Sequence, residues 1–209
     1  MKSKISSVIF DFGGVLVNWD PVSFYTKIFN NNKQKAQWFI NTVCTFKWHF
    51  EQDKGRLIKD AVAQKVAQFP KYEAEIKMYY DRWEEGFLGP IEKNVKVLTA
   101  LHQQKKYHIF GLTNWSEELY PIGQRLFPFF SWFESVVVSG AIKLTKPDPA
   151  IYTYALQQFN ISNPATTVFI DDNMNNIKGA TAMGINCIHY NNTVNLEEAL
   201  FKLGIDIAI

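Results

Sequence analysis

The sequence predicts an α/β fold: a doubly wound parallel sheet with a helical segment inserted after the first strand. Three observations predict it. Five short apolar runs recur along the 209 residues, each nearly continuous rather than alternating, as strands buried on both faces of a parallel sheet are. Amphipathic helical repeats lie between the later runs. Residues 20–90 break the alternation and show helical spacing throughout.

The first run, Val8–Phe10 within "VIFDFGGVLVNWDP", delivers Asp11 into the Gly13-Gly14 turn. In the segment that follows, Ile76, Tyr80, Trp83 and Phe87 fall at i, i+4, i+7 and i+11 and predict helix, "NNNK" (30–33) predicts a loop, and Gly89-Pro90 reads as the exit. "IEKNVKVLTALHQQ" is helical by Val95, Leu98 and Leu101, with Glu92 early. "YHIFGLTN" (107–114) and "ESVVVSG" (134–140) are the second and third strands. "DPAIYTYALQQF" opens a helix with Asp148 as N-cap and Pro149 in the first turn. "TTVFIDD" (166–172) is the fourth strand. "NNIKGATAMG" repeats Ile177, Ala180 and Met183 and stops at Gly184. "INCIHY" (185–190) is the fifth strand, and "NLEEALFKLG" closes the chain with a helix ending at Gly204. The reading is a Rossmann-like core of residues 1–17 and 91–209, with residues 18–90 as a helical cap.

Composition sets the class. The chain is 47% hydrophobic and 20% charged, as soluble globular proteins are, and its net charge of +2 gives no electrostatic footprint for nucleic acid. No run approaches the length of a membrane span. The apolar start is broken at Asp11, which argues against a signal peptide. Cys44 and Cys187 lie far apart without metal-ligand spacing, so the expected compartment is reducing, the cytoplasm.

Ligands of an open parallel sheet bind beyond the carboxyl ends of its strands. The first run ends in Asp11 and the second in Thr113-Asn114. The third is followed by Lys143 and Lys146 in "SGAIKLTKPDP", and the fourth ends in Asp171-Asp172. Three carboxylates, a hydroxyl and a lysine therefore converge. Convergent carboxylates resist ionising together. A divalent cation relieves them, and hard oxygen donors favour Mg2+. Such a site suits phosphoryl transfer, with Asp11 attacking phosphorus. Each residue alone has a plainer reading: a turn aspartate, a helix cap at Asp171-Asp172, a solvated Lys146 at a helix start. Four strand ends in order, each with the right residue type, carry the functional one.

The set "VIFDFGGVL", "GLTN", "KPDP" and "FIDDNMNNIKGA" resembles the four signature motifs of the haloacid dehalogenase-like (HAD) hydrolase superfamily, over nearly the whole chain. The insertion resembles a cap domain. The resemblance implies Asp11 as nucleophile, forming an aspartyl-phosphate. It implies Thr113 and the backbone at Asn114 as holders of the phosphoryl oxygens, with Gly14 in the substrate-binding turn. Lys146 holds nucleophile and phosphate. Asp171 and Asp172 serve the magnesium, with Asp11 and the Gly13 carbonyl. Asp171 is expected to be the direct ligand.

Phosphatases of that superfamily usually carry a second aspartate two residues after the nucleophile. Here that position is Gly13, and the lost general acid/base is worth about 10²–10⁴-fold. Three accounts stand open. The substrate has a good leaving group, as in an acyl phosphate or a sugar 1-phosphate such as glucose 1-phosphate. Or another residue substitutes: Asp20, which also reads as an N-cap before Pro21, or His49 or Glu51 in "FKWHFEQDKGR". Or the chain is a dehalogenase-type hydrolase or a non-catalytic phospho-ligand binding protein. The leading expectation is a magnesium-dependent phosphatase of a small phosphorylated metabolite; cap aromatics such as Trp48 and Trp83 are candidates to stack on a sugar face, most of these rings being expected to pack.

Overall fold

The structure is a computed structural model and describes residues 4–207; the remaining ends of the predicted core, 1–3 and 208–209, lie outside the described residues. Among the described residues seven strands run in chain order: β1 (Ser7–Phe10), β2 (Val17–Trp19), β3 (Phe87–Pro90), β4 (His108–Thr113), β5 (Ser135–Val138), β6 (Thr167–Asp171) and β7 (Asn186–His189). Five of them form one parallel sheet in the order β5-β4-β1-β6-β7. These are the five strands the apolar runs predict.

β1 is central and buried along its whole length. Its side chains alternate between two helical layers, as the period of a strand requires. Val8 and Phe10 join a core with Val97, Leu98 and Leu101 of the helix Glu92–Gln104. Ile9 joins a second core with Ile151, Tyr152 and Ala155 of Pro149–Gln158 and Ile177 of Met174–Ala182. Helices on both faces make the sheet doubly wound. Asp148 caps its helix as predicted, its carboxylate accepting from the Ala150 N–H at 2.8 Å.

Between β2 and β3 the chain forms the helices Pro21–Ile28, Lys33–Thr42, Phe46–Asp53, Ile58–Gln68 and Glu73–Asp81. Two details differ from the sequence reading. The helical spacing from Ile76 does not run through to Phe87: the helix stops at Asp81, a 3-10 turn spans Trp83–Gly86, and Phe87 is already in β3. β2 and β3 also pair antiparallel, Val17 opposite Pro90 and Trp19 opposite Phe87, so the exit at Gly89-Pro90 is part of a ribbon. Gly86 makes the close approach possible, since a Cβ there would lie 2.5 Å from the Trp19 indole nitrogen.

The helix Phe46–Asp53 is tied to the sheet's carboxyl edge. Ser139, just past β5, donates its hydroxyl to the Asp53 carbonyl at 2.6 Å and accepts from the Trp115 N–H at 3.0 Å. No helix among the described residues is long and apolar enough to cross a membrane.

Candidate active site

The site grows out of β1. The Asp11 N–H continues the ladder to the Ile170 carbonyl at 2.9 Å, and the chain then leaves the sheet. The Asp11 carboxylate is buried. Its Oδ1 accepts from the Phe12 N–H at 2.7 Å and lies 3.0 Å from Lys146 Nζ.

Lys146 is the hub. Its ammonium has three donors and three neighbours to take them: Asp11 Oδ1 at 3.0 Å, Asp171 Oδ2 at 2.7 Å and the Leu112 carbonyl at 2.9 Å. It is buried, so the solvated-lysine reading is overturned for Lys146; Lys143 is the exposed one. The Asn114 side chain grips the Lys146 main chain at both ends, accepting from its N–H at 2.9 Å and donating to its carbonyl at 3.0 Å.

Asp171 ends β6 and is fully buried. Its Oδ1 accepts from the Asn173 N–H at 2.8 Å and from Asn176 Nδ2 at 3.0 Å; its Oδ2 accepts from Lys146 and again from Asn176. The N-cap of the next helix is Asn173, not either aspartate. Asp172 is more exposed and faces the Gly14 turn, where a Cβ would fall 2.2 Å from its Oδ2. Gly14 has φ +71°, a conformation glycine adopts without strain. A Cβ at Gly13 would meet nothing within 4 Å.

Asp11, Asp171 and Asp172 each place a ligand atom within 4.8 Å of the others. Burial, with the charges of Asp171 and Asp172, pushes the Asp11 carboxyl up to about 8 against the pull of Lys146. Burial and Asp171 also raise Asp172. Burial works against the Lys146 ammonium, but Asp11 and Asp171 outweigh it and hold its pKa above the ordinary lysine value. One lysine among three carboxylates leaves negative charge in excess, and an all-oxygen donor set fits a hard divalent cation.

These residues floor a cavity of about 350 Å³ that includes Asp11, Gly13, Thr113, Asn114, Lys146 and Asp172. The helical insertion and its ribbon roof it with Trp19, Phe46, His49, Phe50, Asp53 and Trp83. Of the candidate acid/base residues, only His49 reaches this cavity. Asp20 is an N-cap: its carboxylate accepts from the Val22 N–H at 2.9 Å and the Ser23 hydroxyl at 2.6 Å, and it is not part of the cavity wall. Glu51 pairs with Lys54 at 2.9 Å on the exposed side of its helix. Trp48 is buried within the insertion, donating to the Ala61 carbonyl at 3.3 Å, and is not part of the cavity wall, whereas Trp83 lines it.

Two residues escaped the sequence reading. Asn176, five residues after Asp171, bridges both oxygens of that carboxylate. Asp53 stands one helical turn after His49, a spacing that places both on one face.

Fold and site together define a doubly wound α/β core with a carboxylate-lysine centre at the sheet's carboxyl edge. Comparison with known proteins specifies it further. The family model described as haloacid dehalogenase-like hydrolase matches residues 5–184, and the chain belongs to that family. It is 22% identical over 205 residues to a D-ribitol-5-phosphate phosphatase of Bacteroides thetaiotaomicron, covering 94% of this chain and 97% of that one. It is 24% identical over 190 residues to a sesquiterpene phosphatase of Aspergillus oryzae, covering 90% and 91%. A drimenol cyclase of Aspergillus calidoustus is also 24% identical, but the chain spans only 36% of its length. Among solved structures, a HAD family enzyme of Bacteroides thetaiotaomicron in complex with magnesium and inorganic phosphate superposes with a TM-score of 0.69 at 22% identity, covering 93% of this chain and 98% of that one.

Proposed function

We propose that this hydrolase is a magnesium-dependent phosphatase of a small phosphorylated metabolite, acting through a phosphoryl group carried on Asp11. The observation that carries the reading is the buried Lys146 ammonium bridging Asp11 and Asp171, with Asp172 beside them. The phosphatases among its relatives and the magnesium and phosphate held by a structural neighbour support it.

Oδ1 of Asp11 is engaged by Phe12 and Lys146, which leaves Oδ2 as the attacking atom. Oδ2 forms a bond to phosphorus as the bond to the leaving oxygen breaks. The Thr113 hydroxyl and the backbone at Asn114 and Gly14 hold the phosphoryl oxygens, while Lys146, its three donors taken, holds Asp11 in place and sets its positive charge beside them. Water then attacks phosphorus and frees the Asp11 carboxylate. In this reading Asp11, Asp172 and the Gly13 carbonyl would hold the metal directly. Asp171, its oxygens already committed to Lys146, Asn173 and Asn176, stands behind them. When bound, magnesium neutralises the charge that develops on the phosphoryl oxygens.

Residues 18–90 act as the cap over the site, excluding bulk water and setting specificity. A sugar phosphate, with a sugar 1-phosphate foremost, fits the roof. Trp83 and Trp115 line the cavity walls, and both carry buried indole N–H groups without a partner among the described residues. Free Cys44 and Cys187 support action in a reducing compartment such as the cytoplasm.

The test is phosphate release from a panel with and without magnesium: glucose 1-phosphate, sugar and polyol 5- and 6-phosphates, acetyl phosphate, a prenyl phosphate and an aryl phosphate. The reading expects turnover that needs both magnesium and Asp11. Release that persists in Asp11→Asn contradicts it. Halide release from 2-haloacids instead points to the dehalogenase chemistry.

A further inference from the structure

We propose that Asp53 is the catalytic acid and base of this site, filling the role left open at Gly13. The proposal rests on the phosphatase reading above and concerns one residue of the helical insertion.

The position comes first. Asp53 is the last residue of the helix Phe46–Asp53, and its carbonyl is fastened by Ser139, which also holds the Trp115 N–H. Trp115 follows Thr113 and Asn114 directly, so Asp53 is pinned beside the phosphate-holding loop. Its side chain lines the same cavity as Asp11, Gly13, Thr113 and Lys146. The other nearby carboxylates are committed elsewhere, Asp20 to its cap and Glu51 to Lys54.

The carboxyl is also unfinished. Asp53 is 6% exposed, and its Oδ1 has no hydrogen-bond partner among the described residues. A buried, unpartnered carboxyl oxygen is costly and rare. A protonated, neutral carboxyl is the form that such an enclosed oxygen favours.

A polarised chain orients the group. Arg56 Nε donates to Gln52 Oε1 at 2.8 Å, which fixes the Gln52 amide with its nitrogen toward the Tyr80 hydroxyl. That hydroxyl, already an acceptor, gives its own proton to His49 Nδ1 at 3.2 Å. The His49 proton then sits on Nε2, 3.8 Å from Asp53 Oδ1. This gap is too long for a hydrogen bond in this state. Burial holds the imidazole down at about 3, so it stays neutral and leaves the proton traffic to Asp53. Burial pushes the Asp53 carboxyl up to about 7, tempered by the Ser116 N–H. Tyr79 and Tyr80 face it from the helix Glu73–Asp81, both held neutral by burial. An acid that becomes a base within one turnover works best near such a value.

The steps balance. As Asp11 bonds to phosphorus and the phosphorus–oxygen bond to the leaving group breaks, protonated Asp53 gives its proton to the departing oxygen, which leaves as an alcohol. The Asp53 carboxylate then takes a proton from the water that attacks phosphorus, and Asp11 departs as a carboxylate. One phosphate ester and one water become one alcohol and one phosphate.

The experiment compares wild type, Asp53→Asn, Gly13→Asp and the Asp53→Asn/Gly13→Asp double variant on an alkyl or sugar phosphate and on p-nitrophenyl phosphate, with Asp11→Asn as control. Asp53→Asn should lower kcat/KM on the alkyl ester about 10²–10⁴-fold. On the aryl ester, whose leaving group needs no proton, it should release a burst of one equivalent of p-nitrophenolate and then stall. Gly13→Asp should restore at least tenfold in the double variant, since a side chain at 13 enters open space. Unchanged kcat/KM on the alkyl ester in Asp53→Asn, with activity still lost in Asp11→Asn, overturns this proposal alone. An equal loss on both esters with no burst and no rescue reduces Asp53 to a structural residue and overturns it too. Wild type that neither turns over any phosphate ester nor carries phosphate on Asp11 overturns the phosphatase reading, and this proposal with it.

Discussion

The side chain of Asn114 closes a two-way hydrogen-bonded pair with the main chain of Lys146, Oδ1 accepting at 2.9 Å and Nδ2 donating at 3.0 Å. The end of β4 is thereby locked to the loop that carries Lys146, 32 residues further along the chain. The lock sets where the Lys146 ammonium emerges, and so where Asp11 and Asp171 meet it. A strand-end asparagine that reads in the sequence as a phosphate contact is, in its side chain, a brace for the lysine.

Breaking that brace has a definite cost. Asn114→Ala leaves the Lys146 N–H and carbonyl without these partners, a loss of about 1–3 kcal/mol. Asn114→Asp keeps the acceptor but sets a carboxylate against the Lys146 carbonyl. Both should lower the urea midpoint and kcat together, with Asn114→Asp the worse, and equilibrium unfolding beside steady-state kinetics checks this.

Removing the ammonium is more severe. Lys146→Met strands two buried carboxylates without their cation, a loss of about 3–5 kcal/mol. Activity should vanish. Magnesium should stabilise this variant more than it stabilises wild type, because the cation replaces part of the missing charge. Thermal unfolding with and without magnesium measures the difference.

The two glycines of the turn should respond oppositely. Gly14→Ala meets the Asp172 carboxylate at 2.2 Å and holds an L-residue at φ +71°, a strain of about 1–2 kcal/mol. It should weaken magnesium binding by calorimetry. Gly13→Ala enters open space and should leave both fold and magnesium affinity close to wild type.

Asp53 ties stability to pH. Burial raises its folded-state value to about 7, well above that of an unfolded aspartate. Between about pH 4 and 7 the folded chain therefore binds more protons at this group than the unfolded chain does, and stability falls as pH rises. Asp53→Asn removes that dependence. It should be the more stable protein at pH 8, by roughly 2–4 kcal/mol from a shift of about three units, and the gap should close toward pH 4. Denaturant melts of both proteins across that range test the sign.

Much of this molecule was legible in the residues. Strands buried on both faces are continuous apolar runs, so the five strands of the sheet stood out, and ligand sites at their carboxyl ends pointed to Asp11, Thr113, Lys146 and Asp171-Asp172. The ribbon of β2 and β3 did not stand out, because three or four residues carry no measurable period. Nor did the surroundings of the aspartate pair. Asp171 reads in the sequence as the direct metal ligand; in the fold its oxygens accept from Lys146, Asn173 and Asn176, which is why we propose Asp172 for that part, and only folding brings Asn176 back onto Asp171. Asp53 sits beside Lys54 in a run of polar residues and looks solvated; the docking of its helix on Ser139 buries it. Asp20 shows the converse. Its place before Pro21 announced a cap, and a cap is what it forms.

The most direct measurement is the mass of the Asp11-bearing peptide. Protein mixed with acetyl phosphate and magnesium is quenched in acid within a turnover and digested. A phosphoryl group on that peptide in wild type, absent in Asp11→Asn, is the predicted result. Phosphate release at full rate with no phosphoryl group ever found on Asp11, or undiminished release by Asp11→Asn, would contradict the account.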